Sequence, residues 1–194
     1  MGEVIERVGY IEREIDPDLF SAVLHHIVGQ QISTKAQVTI WKRMRDGLEE
    51  INAQQILKAG ISKLQSFGIT FRKAEYITDF AEKVQSGEFD LQSIYEKSDA
   101  EAMKALTSLK GIGVWTAEMI LLFCMQRPDI LSFDDLAIQR GLRMVYHHRK
   151  IDRKLFEKYR RRYHPYGSIA SLYLWAVAGG ALLDMKDYAP KNKK

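Results

Sequence analysis

The stretch Leu109–Arg140, LKGIGVWTAEMILLFCMQRPDILSFDDLAIQR, decides how the rest of the chain is read. It opens on a Gly-x-Gly turn, Gly111-Ile112-Gly113, and a helix-forming segment with an apolar face, Val114 to Gln126, follows at once. After a break at Arg127-Pro128, an apolar strip, Ile130-Leu131-Ser132-Phe133, delivers two carboxylates, Asp134 and Asp135. Glycine serves where φ must be positive or where another backbone must come close. Two glycines just ahead of a helix also leave outward N–H groups able to receive an anion such as a phosphate. Taken bare, the turn fits a Gly-capped connection between two helices better. Its neighbours decide otherwise.

Working outward, helical spacing dominates and no run alternates as a strand would. Asp16-Pro17 reads as a cap and first-turn proline starting a helix through about Val28. Ser33-Thr34 starts the next, continuing to about Gly47. Asn52 and Ser62 read as caps of two short helices, and Thr70 starts a longer one ending near Gly87. Ser98-Asp99 opens a helix that closes on the turn at Leu109. Helices over Asp134–Tyr146, Asp152–Tyr163 and Ser168–Gly180 complete an all-α chain, with no repeat, low-complexity linker or abrupt boundary.

Composition bounds the class. With 46% hydrophobic and 28% charged residues the chain has the make-up of a soluble globular protein, long enough for one domain or two interleaved lobes. The N-terminal MGEVIERVGYIEREIDPD is too charged for a signal peptide. The longest apolar run, Leu172 to Leu183, is too short to cross a bilayer and reads as a buried helix. A single cysteine, Cys124, excludes an internal disulfide, suits a reducing cytoplasm and reads as core. The five histidines show no zinc spacing, and surface or capping roles suit them better. The net charge of +4 hides an asymmetry: residues 140–194 hold 14 Lys+Arg against 4 Asp+Glu, and residues 1–139 hold 15 against 21. Such a split suits a polyanion partner. It also fits plain solvated faces, as Arg160-Arg161-Arg162 and the Lys191–Lys194 tail could be.

Four motifs then carry a resemblance. Leu109-Lys110-Gly111-Ile112-Gly113-Val114-Trp115-Thr116-Ala117 resembles the hairpin of the helix-hairpin-helix DNA glycosylases, and Asp135, 20 positions after Trp115, matches that superfamily's aspartate. Val28-Gly29-Gln30-Gln31-Ile32-Ser33, the run Gly68 to Ile77 (GITFRKAEYI) and the run His164 to Trp175 (HPYGSIASLYLW) resemble its 3-methyladenine branch. These motifs span most of residues 16 to 180. The resemblance implies a two-lobed all-α fold, hairpin at about 107–118, with the N-terminal segment rejoining the C-terminal lobe and the active site in the cleft between lobes. It implies a monofunctional enzyme of base-excision repair that hydrolyses the N-glycosidic bond of alkylated purines in duplex DNA. Two alternatives stay open: action on an oxidised or deaminated base, and a damage-binding module without chemistry.

The resemblance assigns residues as well. A glycosylase must pull its target base from the stack, hold it and fill the gap. Asp135 would stabilise the sugar cation as the bond breaks or align the attacking water, at a helix start that favours negative charge. Asp134 is assigned to capping. Trp115 and Trp175, with Tyr166 and, more weakly, Tyr173, would wall the base pocket, where an electron-rich ring attracts a cationic alkylated base; both tryptophans also fit as core. Gln31 would wedge into the vacated stack with Gln30 beside it, and a polar interhelical turn fits the pair equally. Gly111, Gly113, Lys110 and Thr116 would hold phosphates, as could Arg72-Lys73 unless that pair merely sits on a helix face. Carbonyls of Thr107, Leu109 and Ile112 could hold a Na+ or K+ ion. No other cofactor and no four-cysteine iron–sulfur cluster is expected, and the partner is damaged double-stranded DNA, met by a monomer in the cytoplasm, with no membrane.

Overall fold

The computed structural model describes residues 1–190; the basic tail at 191–194 lies outside them. Every regular element among the described residues is a helix. The chain divides into two compact units, one made of Ile15–Met125 and the other of Met1–Glu14 together with the chain from Gln126 onward.

The first unit holds seven helices: α2 (Leu19–Gly29), α3 (Thr34–Gly47), α4 (Ala53–Ser66), α5 (Phe71–Gln85), α6 (Leu91–Glu96), α7 (Asp99–Thr107) and α8 (Val114–Phe123). Their starts follow from side-chain chemistry. Ser33, Asn52, Thr70 and Ser98 each accept an N–H of the first turn, and Ser98 with Glu101 closes a reciprocal capping box. Phe20 of α2 stacks on Phe80 of α5 with ring centres 5.1 Å apart, and Leu24, Ile27, Ile56, Leu64, Ile77, Leu106, Ile120 and Leu121 are fully buried. Each such side chain stabilises the fold by about 1.5–3 kcal/mol relative to exposure. Cys124 lies in this core, and burial pushes its thiol up to about 11.

The second unit holds α1 (Gly2–Val8), α9 (Leu136–Tyr146), α10 (Arg153–Tyr163) and α11 (Gly167–Ala178). One core cluster joins Ile138 and Leu142 of α9, Phe156 and Tyr159 of α10, and Ala170 and Leu174 of α11. A second ties Val4 of α1 to Met144, Tyr173 and Val177. The Tyr173 hydroxyl donates to the Gly9 carbonyl at 2.9 Å, fastening the N-terminal segment.

Several boundaries differ from the sequence reading. The cap of α2 is Asp18, not Asp16: the chain is still extended at Asp18 (φ −85°, ψ 106°), whose side chain accepts the Phe20 N–H at 3.0 Å, so the helix starts at Leu19. The stretch Ala53–Ser66 is interrupted at Gly60 (φ 70°, ψ 169°), which separates two short helical pieces as the sequence suggested, but the second begins after Gly60 rather than at Ser62. α8 ends at Phe123 rather than Gln126, which takes φ 54° and turns the chain away ahead of Pro128. The apolar run Leu172–Leu183 is not one buried helix, because α11 stops at Ala178 before Gly179-Gly180 and Leu183 is exposed. The charged N-terminus forms α1 and residues 91–96 form α6, neither of which periodicity suggested.

Candidate active site

In the second unit, the non-helical segment 127–135 is fastened to one face of α11. Ser168 Oγ donates to the Arg127 carbonyl at 2.5 Å and accepts the Ile130 N–H at 3.0 Å. One turn on, Ser171 Oγ donates to the Ile130 carbonyl at 2.9 Å. A further turn on, Trp175 Nε1 donates to Asp135 Oδ1 at 3.1 Å. Residues three and four apart share a helix face, so Ser168, Ser171 and Trp175 form a ladder that fixes where the segment ends. Asp129 adds to the anchorage, accepting the Gly167 N–H at 3.1 Å and meeting His164 Nδ1 at 2.6 Å.

Asp135 is where that ladder leads. It is the N-cap of α9, accepting the Ile138 N–H at 2.8 Å, and it is only 8% exposed. Asp134, assigned to capping from the sequence, is instead exposed and does not cap. The reason is register: α9 begins at Leu136, and only the residue directly before it can reach the first-turn amides. One oxygen of Asp135 therefore takes two donors, the helix amide and the indole, which fixes the plane of the carboxylate. Placed at a helix N-terminus, such a group can stabilise a neighbouring cation or orient a water. Tyr166 is the N-cap residue of α11 and 63% exposed. Tyr173 is not a pocket residue, since it is buried in the core with its hydroxyl on Gly9.

In the first unit, α7 and α8 flank the hairpin. Leu109 and Ile112 are buried and linked by the Ile112 N–H to Leu109 carbonyl bond of 3.1 Å. The two glycines differ in kind. Gly111 has φ 83°, and a side chain there would overlap the Tyr76 ring. Gly113, the N-cap of α8, has an ordinary φ of −87°, and a Cβ there would meet nothing within 4 Å. No neighbour inside the protein excludes a side chain at 113, where glycine serves as the N-cap. Val114 and Trp115 follow on the surface, Trp115 being 43% exposed. Thr116, expected to contact phosphate, is instead buried: it falls on the inward side of α8 beside Ala117. Lys110 is exposed, but its ammonium meets Asp79 Oδ1 at 2.5 Å. Burial pushes the Asp79 carboxyl up, and the Lys110 and Lys83 ammoniums outweigh this and hold it below its ordinary range.

The loop after α2 is tied to the same hairpin. Gln30 Nε2 donates to the Gly111 carbonyl at 2.7 Å, so the Gln30 side chain is turned to the hairpin. Gln31 is exposed, in a left-handed conformation of φ 55°. The pair Arg72-Lys73 splits: Arg72 is exposed with its guanidinium on the Tyr76 hydroxyl, while Lys73 reaches the Val28 and Gln30 carbonyls at 2.8 and 2.6 Å. Lys73 is thus neither a phosphate contact nor a bare helix-face charge.

The basic excess of the C-terminal half is partly spent internally. Arg143 pairs bidentately with Asp187 at 2.7 and 2.6 Å, and Arg153 and Arg160 flank Glu157 at 3.2 and 3.8 Å. Among the described residues no group of three or more His, Cys, Asp and Glu side chains could hold a metal. The sequence reading missed Ser168, Ser171 and Lys73 as positioning groups. Two serines on one face of an otherwise apolar helix were the available signal.

Comparison with known proteins agrees with this geometry. Residues 24–165 match the family model described as HhH-GPD superfamily base excision DNA repair protein. DNA-3-methyladenine glycosylase 1 of Schizosaccharomyces pombe is 29% identical over 164 residues, covering 82% of this chain and 72% of that protein. Against two curated relatives from Bacillus subtilis the chain spans 59% and 57% of their length. The crystal structure of a DNA-3-methyladenine glycosidase from Bacillus halodurans superposes with a TM-score of 0.86 at 32% identity, covering 95% of this chain and 86% of that one. The Schizosaccharomyces pombe 3-methyladenine DNA glycosylase in complex with abasic DNA superposes with a TM-score of 0.80 at 25% identity, covering 95% and 93%. The chain belongs to the HhH-GPD superfamily of base excision DNA repair proteins.

Proposed function

We propose that the protein is a monofunctional DNA glycosylase that hydrolyses the N-glycosidic bond of alkylated purines, of the 3-methyladenine and 7-methylguanine type, in duplex DNA. The observation that carries this reading is the buried Asp135 carboxylate, fixed at a helix start by the Ile138 amide and the Trp175 indole. Asp135 is assigned the charge that stabilises the developing sugar cation or orients the attacking water. Trp115 and Trp175 are the aromatic groups assigned to the base. A purine alkylated at N3 or N7 is cationic, and a ring attracts such a cation by ~0.5–2 kcal/mol. A cationic base also leaves readily, so one carboxylate and no partnered acid suffices. The relatives named DNA-3-methyladenine glycosylase support the substrate class.

The hairpin amides at Gly111 and Gly113 are assigned to phosphates of the duplex, and Gln31 to the gap left by the flipped nucleotide. The carbonyls of Thr107, Leu109 and Ile112 are proposed to hold a monovalent cation. Neutral carbonyl oxygens suit such an ion better than a divalent one, whose sites are built with carboxylates. Neither an iron–sulfur cluster nor another cofactor enters the proposal, and the protein is taken to act as a monomer in the compartment that holds the DNA. No helix among the described residues is long and apolar enough to cross a membrane.

Reaction type is testable directly. A lyase needs an amine that attacks the sugar and forms a Schiff base, and the indole of Trp115, assigned to the base pocket, supplies none. Incubation with a panel of lesion-bearing duplexes should release an alkylated base and leave an intact abasic site. Borohydride trapping should give no protein–DNA adduct; a robust adduct, or release confined to oxidised or deaminated bases, contradicts the assignment.

The hairpin grip gives a second test. Gly113→Val meets no internal obstacle and should cost folding only about 1 kcal/mol as a poorer cap. It should weaken binding to damaged and undamaged duplex alike, by about tenfold, because it crowds a backbone that must touch phosphate. Affinity of the unaltered protein for any duplex should fall steeply with salt. Loss confined to damaged DNA would remove the hairpin from the phosphate grip.

A further inference from the structure

We infer that Lys73, Tyr76 and Asp79 of α5 form a clamp that fixes the Gln31 loop to the hairpin, making groove insertion and phosphate grip a single rigid element. The inference rests on the proposed glycosylase reading for the roles of loop and hairpin, but the clamp itself is geometry. The three residues recur every third position and share one stripe of α5. Each holds a different part of the same assembly. The Lys73 ammonium donates to the Val28 and Gln30 carbonyls, closing the end of α2, where the last carbonyls have no helical donor. The Tyr76 ring lies against Gly111, leaving no space for a side chain there. Asp79 takes the Lys110 ammonium on one oxygen at 2.5 Å and Lys83 on the other at 3.2 Å.

Gln30 links the parts: its own carbonyl is held by Lys73, and its side-chain amide donates to the Gly111 carbonyl at 2.7 Å. The next residue, Gln31, sits at φ 55°, a conformation a non-glycine side chain keeps only where its surroundings impose it. Burial pushes the Lys73 ammonium's pKa down, the mark of a lysine drawn into the protein rather than left at the surface for a phosphate. Gln30 and Lys73 are therefore positioning residues that act through Gln31, with the hairpin as the fixed point to which the loop is tied.

The test separates positioning from folding by comparing two DNAs. Lys73→Met keeps the aliphatic stem and removes the two donors; Gln30→Ala removes the link to Gly111. Each should weaken binding to an abasic-site duplex about tenfold, the scale of one lost charge-assisted or buried hydrogen bond. Binding to undamaged duplex, which needs no inserted side chain, should change less than about twofold. The double variant should be little worse than the poorer single one, because both break the same assembly. Lys73→Arg, which keeps two donors, should restore most of the discrimination. Equal loss on both duplexes, with or without a lowered melting temperature, additive losses in the double variant, or no loss in either single variant would overturn the clamp. So would an unaltered protein that binds abasic and undamaged duplex equally. Because the readout is binding alone, an unaltered protein that discriminates normally yet releases no base overturns the glycosylase reading and leaves the clamp standing.

Discussion

Replacing Asp135 with asparagine is expected to slow release of an alkylated purine about 100- to 1,000-fold, the usual loss for a single preorganised charged group, while leaving the fold intact. Asparagine keeps an oxygen that can accept the Ile138 amide and the Trp175 indole. It also caps a helix as well as aspartate does. What disappears is the negative charge beside the developing sugar cation. Melting temperature should stay close to that of the unaltered protein, and binding to abasic-site DNA should survive. Asp134→Asn is the matched control: that side chain is exposed and caps nothing, so most activity should remain. Full activity in Asp135→Asn would remove the residue from the mechanism, and equal loss in both variants would mean that charge at this helix start is not specific to Asp135.

The second large effect is expected at Gly141, in the middle of α9. A Cβ there would lie 2.5 Å from the Leu174 carbonyl oxygen and 3.0 Å from the Leu174 Cα, both backbone atoms of α11. Backbone cannot rotate aside as a side-chain tip can, so Gly141→Ala must push α9 and α11 apart. Overpacking of this kind destabilises by about 1–3 kcal/mol. The consequence reaches the chemistry, because α9 begins at Asp135 and α11 carries the Trp175 indole that holds it. Gly141→Ala should therefore lower melting temperature and base release together, whereas Gly113→Ala, in open space, should lower melting temperature only by the smaller cost of a poorer cap. An unchanged melting temperature in Gly141→Ala would mean that the two helices are not in backbone contact.

The two results rest on features that differed in how far they could be read from the chain alone. Local chemistry was legible: Ser33, Thr70, Ser98 and Asp152 cap the helices whose starts they mark, because a cap acts within three residues of itself. The hairpin glycines were legible as a pair, though not their division of labour. That division depends on Tyr76, which is 35 positions away from Gly111 and reaches it only after α5 has packed. The choice between Asp134 and Asp135 turned on a one-residue difference in where α9 begins, finer than periodicity resolves. Least legible were the bonds spanning long separations. Ser171 reaches Ile130 across 41 positions, and Lys73 reaches Val28 across 45. In the sequence, the serines are small residues in an apolar helix and Lys73 is one more charge beside Arg72. Only the folded backbone gives them partners.

The most direct measurement of the central claim is single-turnover release of 3-methyladenine or 7-methylguanine from methylated duplex DNA by the unaltered protein. The expected result is release of the free base, leaving an unbroken strand with an abasic site. A protein that binds the damaged duplex tightly but releases no base from any lesion would contradict it.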